Sequence, residues 1–151
     1  MAGTYGSRWQ AELLKLQLGQ QTVPYTQQTL WVAMCNIAPH TAGGSNILSA
    51  ECSAGGGYAR YPIGTNSMFE AVTAAVSQTA SGAIATNTAT MTISAGTTSN
   101  WGDVGWIAIM NTSTIGAGLL LAWATAAATR TILTGDQVLI AAGSMSIQLG
   151  P

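Results

Sequence analysis

The stretch that decides the fold is Trp101–Pro151, WGDVGWIAIMNTSTIGAGLLLAWATAAATRTILTGDQVLIAAGSMSIQLGP. Within it Val104, Trp106, Ala108 and Met110 alternate with Gly105, Ile107 and Ile109, so a strand here is apolar on both faces, as a central strand of a covered sheet must be. After the turn-rich Asn111–Gly118 comes LLLAWAT, Leu119–Thr125, an apolar and aromatic run that predicts a second strand. Thr131–Leu133 leads into the Gly135-Asp136 turn, and Val138–Ala142 resumes the apolar pattern. Met145, Ile147 and Leu149 then share one face, with Ser144, Ser146 and Gln148 on the other. Short strands with tight connections predict an antiparallel meander or sandwich rather than alternating strands and helices.

Working outward, Thr86–Ile93 places Ala89, Met91 and Ile93 on an inward face and Thr88, Thr90 and Thr92 on an outward one. Leu30–Ile37, LWVAMCNI, predicts the first apolar strand, with a loop at 38–46 and an edge segment at Ile47–Cys52. Residues 66–81 are ambiguous: Met68, Val72, Ala75 and Val76 suit a helix, Phe69, Ala71 and Thr73 a strand, and the all-β context favours the strand. At the N-terminus RWQAELLKLQL, residues 8–18, carries Trp9, Leu13 and Leu16 at helical spacing behind Ser7 as a helix cap. Gly19 closes the segment and Pro24 prevents its continuation. A short amphipathic helix and a polar arm over 1–29 therefore precede a sandwich domain over 30–151. This helix either packs on its own sandwich or docks on a neighbouring subunit; the long uncharged tether from Gln20 to Thr29 points to the neighbour.

The 151 residues suffice for one core, but only 6% are charged, against roughly 25% in ordinary soluble domains. A surface of hydroxyl and amide side chains with so little charge suits a protein covered by partners. Net charge is -1, and the four basic residues, Arg8, Lys15, Arg60 and Arg130, form no stripe that could neutralise phosphates, so nucleic-acid binding is not expected. The longest nearly apolar run, Ile115–Ala128, is shorter than the roughly 20 residues of a membrane helix. Arg8, Glu12 and Lys15 interrupt any signal-peptide pattern, which makes folding in the cytoplasm the expectation. In that reducing compartment Cys35 and Cys52, which could meet across neighbouring strands, read as small buried hydrophobes.

Catalysis needs convergent titratable groups, and the chain offers His40, five acids and four bases. His40 sits beside Pro39 in a predicted loop, and no serine occupies a nucleophile elbow. Cys35, His40 and Cys52 match no compact zinc-ligand spacing, and Glu51 would have to complete the set. No catalytic, cofactor-binding or metal-binding residue is expected. Gly55, Gly56 and Gly57, ahead of Tyr58–Pro62, imply a tight backbone with at least one positive φ. A phosphate-cradling loop would need the Lys-Ser/Thr ending that this run lacks. Glu51 and Arg60 flank the glycines at a spacing that suits cross-strand neighbours of a hairpin, an ion pair worth less than about 1 kcal/mol if exposed. Asp103 and Asp136 each follow a glycine, which reads as turn chemistry. Trp31, Trp101, Trp106 and Trp123 could supply stacking surfaces for sugars, though core packing explains them more simply.

The order of LWVAMCNIAPHTAGG, GGGYARY, TATMTI, WGDVGWIAIMN, LLLAWAT and TGDQVLIAAGSMSIQL resembles a family of small tailed-phage virion proteins. In that family an N-terminal helix precedes a strand ending in an Ala-Asp-Pro-type loop, a Gly-Gly-Tyr-Ala-Arg segment follows, and a Trp-Gly strand and a Gly-Asp turn close the chain. The resemblance runs from Trp9 to Leu149 and its specificity lies in the order of the motifs. This sequence departs at Ala38-Pro39-His40, where the acidic residue is missing, and in a longer 62–85 segment. What the resemblance implies is a jelly-roll-like β-sandwich of the head decoration, head fibre or tail fibre type. The leading expectation is a non-enzymatic capsid decoration (cement) protein, homotrimeric, whose partners on the capsid surface are the major capsid protein and other copies of itself. A tail or fibre module that recognises host glycans is the alternative.

Overall fold

The computed structural model describes residues 3–5, 29–39, 49–53, 55, 57–64, 84–94 and 98–148. Among them lie the strands β1 (Gly3–Tyr5), β2 (Leu30–Cys35), β3 (Tyr61–Gly64), β4 (Ile84–Thr86), β5 (Met91–Ser94), β6 (Gly102–Met110), β7 (Leu120–Ile132), β8 (Gln137–Ile140) and β9 (Ser146–Gln148). Every pairing is antiparallel, and the described residues form an all-β sandwich.

One layer is a five-stranded sheet in the order β1-β7-β6-β2-β3. β6, apolar on both faces in sequence, is its central strand and is buried from Ile107 to Met110. The order is not that of a simple meander, because β2 inserts between β6 and β3. The other layer is a long ribbon in which residues 84–94 run against 137–148 as β4–β9 and then β5–β8. Met91, Ile93, Ile140 and Met145 of the ribbon pack against Val32, Met34, Ile107, Ile109 and Ile132 of the sheet to form the main core. The opposite face of the sheet carries a second cluster of Ala33, Cys35, Ala108, Met110 and Leu120 with Ala50, rimmed by the half-buried Trp31, Trp106 and Trp123.

Several expectations need correction. The strand expected over Thr86–Ile93 is broken at Asn87. Between Thr86 and Met91 four residues (87–90) face five (141–145) between Ile140 and Ser146, so the ladder takes one extra residue. Asn87, 1% exposed, fills the gap. Its Oδ1 accepts Met145 N at 2.8 Å, and its Nδ2 donates to Ala141 O at 2.8 Å and Ala89 O at 2.9 Å. Its backbone bonds Met145 O and Gly143 N. The amide thus supplies the hydrogen bonds that the interrupted ladder cannot.

Likewise, Leu119–Thr125 and Thr131–Leu133 are not separate strands. β7 runs 13 residues from Leu120 to Ile132. It does so by bulging: Trp106 faces Thr125 and Val104 faces Arg130, leaving Gly105 alone opposite Ala126–Thr129. Three alanines and the missing Cβ of Gly105, where an added carbon would lie 3.0 Å from Thr129 Oγ1, let this bulge lie close to β6. A second register shift between Ile109 and Met110 turns Leu120 toward the tryptophan-rimmed cluster and Leu121 and Ala122 toward the main core.

Of the expected edge segment Ile47–Cys52, residues 47–48 lie outside the described residues, and among residues 49–52 the pairing is an isolated bridge from Glu51 to Cys35. β3 carries no strand signal in the sequence because it contains Pro62, which an edge strand tolerates; β1, three residues on the far edge, carries none either. The helix expected over 8–18, with Trp9, Leu13 and Leu16, and the segment 66–81 lie outside the described residues, as do His40 and Gly56.

Candidate functional site: a buried clasp and an uncharged surface

The polar residues singled out in the sequence converge on one place. Glu51 opposite Cys35 and β3 opposite Leu30–Val32 pair along the same edge of β2, so residues 52–60 are an excursion within one edge partner. Glu51 and Arg60 sit at its two ends. They are therefore not cross-strand neighbours of a hairpin, and they are not exposed: both side chains are 0% accessible. Arg60 Nε donates to Glu51 Oε1 and Arg60 Nη2 to Oε2, each at 2.7 Å, a two-pronged ion pair. Its remaining prong, Nη1, donates to Thr112 O at 2.8 Å and Ala117 O at 3.0 Å.

The carboxylate is saturated from its other side. Tyr58 Oη donates to Oε1 at 2.9 Å, and the amide of Gly116 donates to Oε2 at 2.8 Å. Tyr58 Oη in turn accepts Met34 N at 2.9 Å, and its ring meets Trp101 edge-on with centroids 5.0 Å apart. Gly116, at φ 71°, turns its amide to the carboxylate, and Asn111 Oδ1 holds the end of the same connection through Leu119 N at 2.7 Å. The cluster thus clasps the β6–β7 connection to the 51–60 excursion and to β2. Within the glycine run Gly57 has φ 71°, while Gly55 is exposed and its carbonyl accepts Thr98 Oγ1 at 3.1 Å.

Chemically this cluster is closed. Among the described residues, no buried side-chain nitrogen or oxygen lacks a partner. Burial, with the nearby Glu51 charge second, pushes the Cys52 thiol up to about 12 and drives Cys35 and the Tyr58 hydroxyl higher still. Those groups stay neutral and poorly nucleophilic at physiological pH. Both cysteines are free; Cys35 belongs to the tryptophan-rimmed cluster and Cys52 to the main core, on opposite sides of the sheet. Among the described residues no three His, Cys, Asp or Glu side chains gather as a metal site, and no helix is long and apolar enough to cross a membrane.

The two other acids act locally. Asp136 accepts Leu133 N at 2.8 Å in the turn where Gly135 has φ 84°, and Asp103 accepts the Thr131 hydroxyl across the β6–β7 ladder. Asn36 Nδ2 ties β2 to Trp101 O and Asp103 O, both at 2.9 Å. Trp101 is 3% exposed and belongs to the core, so it offers no stacking surface for a sugar.

With Glu51 and Arg60 buried against each other, the described surface carries the charges of Asp103, Arg130 and Asp136 alone. The outer face of the ribbon is hydroxyl and aliphatic: Thr90, Thr92, Gln137 and Ala141 are exposed around Leu139, which is 63% accessible. Leu133 at the β7–β8 turn is 50% accessible. Sequence reasoning found Glu51, Arg60 and Gly57 but missed Tyr58, Asn36 and Asn87 as organisers. An asparagine beside strand-forming residues, where its type is depleted, was the available signal for the last two.

No curated protein matches the sequence. The family model described as Podophage GP4 fiber I protein gp80 matches residues 7–148, nearly the whole chain, and the protein belongs to that family of bacteriophage fibre structural proteins.

Proposed function

We propose that the protein is a capsid decoration (cement) protein that binds the outer shell of the phage head and reinforces it. The observation that carries this reading is the scarcity of surface charge, three charged side chains over the described surface, together with exposed Leu133 and Leu139 amid threonines. Such a surface suits extended, closely packed contacts with other virion subunits. Reinforcement needs no reaction: each copy, as part of a homotrimer, bridges several copies of the major capsid protein, and modest contacts made simultaneously sum to a large barrier against shell opening. The clasp contributes rigidity, because a connection held by three charge-assisted hydrogen bonds, from Arg60 to the carbonyls of Thr112 and Ala117 and from the Gly116 amide to Glu51, loses little further freedom on docking. The direct test compares particles made with and without this protein. Shells lacking it should open at lower temperature, and adding the purified protein should restore the wild-type value; equal stability would refute the reading.

The attachment we assign to the N-terminal segment, with Trp9, Leu13 and Leu16 burying against a neighbouring subunit. Its contacts are mainly apolar, since Arg8, Glu12 and Lys15 are the charges of the segment. A second reading, a fibre module that recognises host glycans, is favoured by the fibre description of the family. Binding of the purified protein to host cells or their surface polysaccharide, without any affinity for heads, would select it.

A further inference from the structure

We draw no further inference here: the strongest candidate, the face of the central sheet where Trp31, Trp106 and Trp123 rim a buried cluster of Ala33, Cys35, Ala108 and Met110, is an apolar surface for which nothing among the described residues shows what covers it.

Discussion

Replacing Arg60 by alanine removes four hydrogen bonds at once, two to the Glu51 carboxylate and two to the carbonyls of Thr112 and Ala117. The carboxylate then stays buried with Tyr58 Oη and Gly116 N as its remaining partners and no compensating charge. Breaking one side of a buried ion pair costs about 3–5 kcal/mol, a large share of the roughly 5–15 kcal/mol that holds a typical domain together. For a chain of this length that corresponds to a fall in Tm of about 6–20 °C. Glu51→Gln should lose a similar amount, because it keeps the shape but leaves Arg60 charged and unpaired. The double replacement Glu51→Leu with Arg60→Met should lose much less than the sum of the two single losses, since no uncompensated charge remains. Urea unfolding at fixed protein concentration, followed by the combined fluorescence of the five tryptophans, reads all three variants. Single losses below about 1 kcal/mol, the range of an exposed pair, or losses that simply add, would refute the account of the clasp.

Other outcomes follow from particular positions. Gly118 has φ 89°, and a Cβ there would collide with Thr112 Cγ2 and Asn111 Oδ1, whereas Gly143, at φ 77°, has open space around it. Gly118→Ala should therefore destabilise by clearly more than Gly143→Ala, whose cost is the backbone strain of about 1 kcal/mol; equal losses in thermal unfolding would contradict this. The thiols of Cys35 and Cys52 should resist a thiol reagent at pH 8 until the chain unfolds, and rapid labelling of the native protein would count against their burial. For the same groups the folded state holds the proton that the unfolded state releases. Their contribution to stability is complete below the ordinary thiol value of 9.0 and is lost as pH rises toward the Cys52 value of about 12. Unfolding free energy measured from pH 8 to 11 should fall, and a flat profile would contradict it. Deleting residues 1–22 removes β1, three residues at a sheet edge, and should leave the sandwich folded while weakening its binding to particles. Undiminished binding, or full-length binding that collapses between low and high salt, would refute an apolar N-terminal attachment.

The parts of this fold that were legible in the sequence are those where burial imposes a period. β6 is apolar on both faces because sheet neighbours and two clusters enclose it, and the alternation through Met91 and Ile93 marks the ribbon's inward face. The parts that were not legible are those where a side chain replaces a ladder or small residues absorb one. Asn87 interrupts a run that reads as one strand, and the alanines opposite Gly105 let β7 continue through a stretch that reads as a break. The pairing of Glu51 with Arg60 was visible from spacing, but its burial was not. That burial depends on Thr112, Gly116 and Ala117, which the topology brings in from more than 50 residues away.

The central claim is the place of this sandwich on the virion, and electron microscopy of the intact particle tests it most directly. The account predicts density fitting the five-stranded sheet and its ribbon on the outside of the head shell, at positions bridging neighbouring capsid subunits. Density for the protein on the tail alone, with bare shell between capsid subunits, would contradict it.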